Sequence, residues 1–271
     1  MIKRNDYIIK TNRSEYDFIV SLGGNCGVAG QLRHRGLRTC SFPLDWTLMT
    51  DVRPVRYLPH GLKSRFSDFC LCENMVEFEP PANEYGKMKY RLEDSLTGFR
   101  FIHHFTAPPS NEVAFKKSRA VLQRRIDRFY EIITKAKHVL FILETSFPYD
   151  FSLLDELYRA LNEVFPNTKV ELVAMQFSAK TCQIADLQDG NVHVLTSERF
   201  FNIVYDTQLT AHEWCFMDQL SLHGKLSPYE MRKKQLLTKW KYKLWMWLGR
   251  SLEHSGAGCA NMRFYKFDRY S

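Results

Sequence analysis

The segment Ser21-Leu-Gly-Gly-Asn-Cys26 places a thiol directly behind two glycines and an asparagine. Glycine tolerates the left-handed backbone that a tight turn requires. The residues that follow, Val28, Ala29 and Leu32 among them, have the spacing of an amphipathic helix that Gly36 would close. A cysteine in the first turn of a helix lies in the field of the helix N-terminus, which stabilises thiolate over thiol. Free backbone N–H groups there, with the turn residues Gly23 and Gly24 and the side-chain amide of Asn25, can receive the oxyanion formed when a thiolate adds to a carbonyl. The same residues also suit an ordinary helix start with Asn25 as N-cap. Gly-Gly-Asn-Cys-Gly matches neither the dinucleotide fingerprint nor a P-loop, so no cofactor is expected.

A cysteine nucleophile needs a base, and the base needs a third group to hold it. Of the nine histidines, those in Phe101-Ile-His-His-Phe105 stand out, because a strand with apolar flanks is a rigid place for an imidazole. His103 and His104 point to opposite faces of such a strand, so only one can face Cys26. His103 is the first candidate base and His104 the alternative; either also suits a hydrogen-bonded core position. Asp45, in Ser41-Phe-Pro-Leu-Asp-Trp46, is the candidate third group, or caps its own turn. The seven cysteines are scattered, and Cys70-Leu-Cys72 is too close for a usual disulfide or a two-residue zinc knuckle. Reduced thiols, no metal centre and a cytoplasmic location are the expectations.

These side chains must be positioned by a fold whose rhythm is visible in the chain. Strands are expected over 17–22, 87–92, 99–105, 138–143, 170–175 and 192–195. Helices are expected over 26–36, 111–135, 151–165, 211–222 and 228–252, with short helices and Phe-rich loops over 51–79. On the 111–135 helix an apolar stripe (Val121, Leu122, Ile126, Phe129, Ile133) runs beside a basic one (Arg119, Arg124, Arg125, Arg128). Strands alternating with helices predict an α/β fold: a layered, mainly parallel sheet flanked by helices. The boundaries expected are an α/β domain over 1–224 and a helical C-terminal extension over 225–271 packed on it.

Three stretches resemble a bacterial family described as papain-like cysteine peptidases, itself largely a domain of unknown function. Residues 17–32, with Ser21-Leu-Gly-Gly-Asn-Cys26, are similar to its N-terminal motif. Ser41-Phe-Pro-Leu-Asp-Trp46 resembles its Phe-Pro-Phe-Asp-Trp element. Phe101-Ile-His-His-Phe105 resembles its His-Asp-Phe element, ahead of a basic helix like 116–129. The resemblance implies Cys26 as nucleophile, His103 as base and Asp45 as orienting acid, in a thiol hydrolase acting on an acyl or peptide substrate, with a papain-like α+β fold as the alternative architecture. His104 stands where relatives usually carry Asp. The Gly-Asn-Cys turn is also similar to that of a group of polysaccharide-biosynthesis proteins regarded as acyltransferases. Acyl transfer or ester hydrolysis is therefore a second reading, and a non-catalytic ligand-binding module a third.

The charge pattern bears on partners. The 271 residues carry 38 Lys+Arg against 30 Asp+Glu, a net of +8. Residues 225–271 hold 11 basic and 3 acidic side chains, leaving 27 of each sign in 1–224. A neutral body makes nucleic acid an unlikely partner. The 228–252 helix sets Trp240 and Trp247 among lysines, a pattern suited to an anionic ligand or membrane surface and to a location peripheral to the membrane. The N-terminus has no apolar signal region, and no apolar run is long enough to span a bilayer.

Overall fold

The computed structural model describes residues 16–34, 37–38, 40–84, 87–176 and 183–196. The first sheet is built from β1 (Phe18–Ser21), β6 (His138–Thr145), β7 (Lys169–Gln176), β8 (Gln183–Leu187) and β9 (Val192–Thr196), in the order β1-β6-β7-β9-β8. β1, β6, β7 and β9 run parallel, and β8 joins antiparallel at the edge. All eight residues of β6 are buried. An inner parallel strand is covered on both faces, which is why 139–143 is a continuous apolar run rather than an alternating one.

A second, antiparallel sheet comprises β2 (Thr47–Leu48), β3 (Met75–Glu84), β4 (Lys87–Asp94) and β5 (Arg100–Phe105), in the order β2-β5-β4-β3. It is inserted between β1 and β6 in the chain. The expected layered parallel sheet therefore accounts for one sheet of two; the fold is mixed α/β, consistent with the α+β alternative. β3 lies partly where helices and loops were expected, over 51–79. Its Met-Val-Glu-Phe-Glu-Pro-Pro sequence does not alternate cleanly, and its register against β4 shifts on both sides of Glu79, next to Pro80 and Pro81. Proline cannot donate to a ladder and is confined to edges and bulges, so this edge strand carries a weak strand signal. β8 lies between the strands expected over 170–175 and 192–195, where no further strand was expected.

The helices are α1 (Cys26–His34), α2 (Arg53–Lys63), α3 (Glu112–Lys135) and α4 (Ser152–Val164). Asn111 caps α3 by accepting from Ala114 N at 3.2 Å. Leu122, Ile126, Phe129 and Ile133 are buried as their spacing predicts, whereas Val121 lies on the exposed side. One core joins the two sheets: Val20, Phe141 and Leu172 meet Phe129 of α3, Leu157 and Leu161 of α4, and the aromatic group Phe69, Phe99 and Phe101. Phe69 and Phe99 pack edge to face at 5.3 Å, a favoured aromatic geometry. Among the described residues no helix is long and apolar enough to cross a membrane. The helices expected over 211–222 and 228–252, and the 225–271 extension as a whole, lie outside the described residues.

Candidate functional site

β1 leaves the sheet at Ser21, and Leu22 N still donates to Ile142 O of β6 at 2.8 Å. The chain then turns through Gly23 (φ +95°) and Gly24 (φ +121°). A side chain at Gly24 would put its Cβ 1.8 Å from the Glu144 carbonyl oxygen, and one at Gly23 would put its Cβ 2.7 Å from Thr47 Oγ1. Both positions thus require glycine on two counts, backbone conformation and space. The turn is also pinned by hydrogen bonds: Glu144 N donates to Gly23 O at 3.2 Å and Met49 N to Gly24 O at 2.9 Å. It is wedged between the carboxyl end of β6 and the segment following the Asp45 loop.

Cys26 is the first residue of α1 and is half-buried. Asn25 Oδ1 accepts from Gly27 N, so Asn25 is the N-cap. The first turn of α1 holds no acidic residue to oppose a thiolate. Gly27 N is consequently committed to the cap, which narrows the oxyanion donors expected from the sequence to other amides of the turn and to the Asn25 side chain. Asn25 Nδ2 donates one hydrogen to Glu144 Oε1 at 2.5 Å.

Glu144 is the residue that sequence reasoning missed. It is the penultimate residue of β6 and is 1% exposed. Its Oε2 is buried and has no hydrogen-bond partner among the described residues. Burial pushes the carboxyl up to about 8, with the Asn25 bond opposing the shift. Near neutral pH it is therefore mainly a neutral acid. A carboxyl oxygen facing position 25 needs a donor there, which explains Asn rather than Asp, although both are good N-caps. The available signal was a lone glutamate closing the apolar run Val139-Leu-Phe-Ile-Leu-Glu144.

The histidines lie in the other sheet, on β5. Leu92 pairs with Phe101 and Tyr90 with Phe105, so Arg91 alone opposes three residues of β5. Such a bulge breaks the alternation of a strand. His103 is exposed. The ring of His104 packs edge to face on buried Phe101 at 5.3 Å. His104 Nε2 lies 3.0 Å from Arg125 Nη1. A guanidinium only donates, so Nε2 is the acceptor and Nδ1 carries the hydrogen; that Nδ1 is buried with no partner among the described residues. Burial, and then the charge of Arg125, lower the His104 pKa to about 3. It stays neutral in the physiological range, with its basic nitrogen occupied.

Asp45 is buried and accepts from Arg38 Nε at 2.8 Å, from Arg38 Nη2 at 2.7 Å and from Phe42 N at 2.9 Å. Burial raises its pKa, while Arg38 and the Phe42 amide oppose the rise. Arg38 also donates to Ser41 Oγ at 2.7 Å and lies over the Trp46 ring at 5.3 Å. Arg33 of α1 stacks on the same ring at 5.4 Å. Asp45 thus closes its own turn and, through Arg38 and Trp46, ties the loop to α1. The structure joins Gly23, Gly24, Asn25, Cys26 and Glu144 into one hydrogen-bonded turn, while Asp45 bonds to Arg38 and His104 to Arg125. Cys70 is buried, and Cys26, Cys40 and Cys72 are half-buried. Among the described residues no three His, Cys, Asp or Glu side chains converge as a metal site.

The fold is thus a mixed α/β one in which a thiol lies at a strand-to-helix turn, on the carboxyl end of a parallel sheet. The chain belongs to the family described as "Putative papain-like cysteine peptidase", whose model matches residues 17–179, more than half its length and all the candidate residues above. It is also similar to an uncharacterized protein of Acanthamoeba polyphaga mimivirus, 25% identical over 133 residues. That match covers 45% of this chain and 59% of the viral protein, so the chain spans somewhat over half of that relative. No solved structure matches the chain.

Proposed function

We propose that the protein is a cysteine-dependent hydrolase of acyl or peptide substrates with Cys26 as its nucleophile. The observation that carries this reading is the position of Cys26 at the first turn of α1, behind a two-glycine turn fixed by sterics and hydrogen bonds, in a member of a cysteine peptidase family. The thiolate attacks the substrate carbonyl carbon, and the carbonyl π electrons move onto oxygen. Amides at the start of α1 and the second amide hydrogen of Asn25 receive that oxyanion. The tetrahedral adduct collapses, the leaving group departs with a proton from an imidazolium, and a thioester remains for water to hydrolyse.

His103 is the proton carrier in this scheme. The low basicity of His104 and its bond to Arg125 argue against it as the base. Asp45 serves the site by shaping the loop that buttresses the turn, through Arg38 and Phe42. Iodoacetamide labelling near neutral pH, resolved cysteine by cysteine, tests the reading. Cys26 is expected to react about tenfold or more faster than Cys40 and Cys72, as a helix-start thiolate should. A labelling rate at Cys26 no greater than theirs sinks the nucleophile and leaves a ligand-binding turn.

A further inference from the structure

Glu144 meets the turn before Cys26 in three ways at once. Its backbone N–H donates to Gly23 O. Its carbonyl oxygen occupies the space that any side chain at position 24 would need. Its carboxyl accepts from Asn25 Nδ2. Asn25 in turn uses Oδ1 to hold Gly27 N, so one planar amide links a buried carboxyl to the first turn of α1. The amide cannot rotate without breaking a bond at each end.

We infer that Glu144 is a positioning residue for Cys26, acting through Asn25 as a hydrogen-bond acceptor that fixes the orientation of the first turn of α1. The inference rests on the reading of Cys26 as a nucleophile and adds the group that holds it. A neutral acid is suited to the task. An ionised carboxylate bonded to Asn25, the neighbour of Cys26, would oppose formation of the Cys26 thiolate, because nearby like charges raise the cost of both. Burial of both carboxyl oxygens, with one amide donor and no cation bonded to them among the described residues, keeps the proton on. The acceptor is then present without the charge.

The test is the ratio of Cys26 to Cys40 labelling by iodoacetamide in the full chain near neutral pH. Asn25→Ala is expected to lower the ratio about tenfold, since the helix start loses its cap and its tie to β6. Glu144→Leu, which keeps the buried bulk but removes the acceptor, is expected to do the same. The double variant should fall no further than the worse single one, as for two ends of one interaction. Glu144→Gln retains an oxygen for Asn25 Nδ2 and is expected to restore the ratio to within about threefold of the parent. A ratio unchanged or raised in Asn25→Ala overturns the inference, and so does a Gln variant that falls as far as Leu, which would assign the role to the carboxyl proton instead. If Glu144→Leu does not fold, a Glu144→Gln ratio that falls as far as that of Asn25→Ala overturns the inference. A parent Cys26 as slow as Cys40 would overturn the nucleophile but not the tie, because the changes between variants remain measurable.

Discussion

Two glutamates on adjacent strands of the parallel sheet have opposite environments. Glu144 lies next to the end of β6, and Glu171 near the start of β7; they are 1% and 3% exposed. Glu171 accepts from Tyr16 Oη at 2.5 Å, from His138 Nε2 at 2.9 Å and from Lys169 Nζ at 2.9 Å. Burial raises its pKa, but these donors outweigh burial and hold it at about 2. Glu144 has one amide donor, and burial wins, taking it to about 8. Glu144, the more deeply enclosed of the two, stays protonated, while three converging donors keep Glu171 ionised. The amino end of the sheet uses a carboxylate to staple β1, β6 and β7. At the carboxyl end, Glu144 Oε2 has no hydrogen-bond partner among the described residues. Several donors around a buried carboxyl hold it ionised as a structural staple, whereas a buried carboxyl with few donors keeps its proton.

The largest expected effect strikes the carboxyl end. Gly24→Ala forces a Cβ into the Glu144 carbonyl at a backbone angle that favours glycine, and should cost about 4 kcal/mol or more, read by urea unfolding. Gly30→Ala is its control: a Cβ there meets nothing within 4 Å, and helix propensity should add about 0.5–1 kcal/mol. Comparable losses in the two variants would remove the claim that the turn is jammed.

The next effect strikes the amino end. Glu171→Gln leaves buried donors facing a neutral amide and should cost about 2–4 kcal/mol near neutral pH. The carboxylate's contribution is fully present above its ordinary value of 4.5 and is lost as pH falls towards about 2, because the folded state holds its proton less tightly than the unfolded one. The loss in the Gln variant should therefore shrink below about pH 4 in thermal melts.

Glu144→Gln should have the opposite sign. The folded carboxyl takes up a proton that the unfolded one has released, so its contribution falls as pH rises from 4.5 to about 8. The neutral amide removes that penalty and should stabilise the protein by about 1–3 kcal/mol near pH 8, with the gain fading towards pH 5. Destabilisation of equal size by both Gln variants at pH 8 would erase the contrast between the two ends.

Much of this was legible in the chain and some was not. The start of α1 at Cys26 and the strands at 138 and 170 follow from local pattern, because an apolar run or a helical stripe is a property of consecutive residues. The inserted sheet was harder, since β3 is an edge strand broken by Pro80 and Pro81. The choice between His103 and His104 was not decidable by alternation. The bulge opposite Arg91 is a matter of strand pairing, and it turns the His104 ring onto Phe101 while leaving His103 exposed.

The sequence by itself determined that a cysteine would follow a two-glycine turn at the start of a helix, because glycine, asparagine and the apolar spacing after them are local instructions. Tertiary structure decided what surrounds that thiol. Glu144 lies 118 residues beyond Cys26 in the chain and reaches the turn only because β6 pairs in parallel with β1. Its charge state depends on how many donors converge on a buried carboxyl, and convergence is a property of the packed molecule rather than of any stretch of chain.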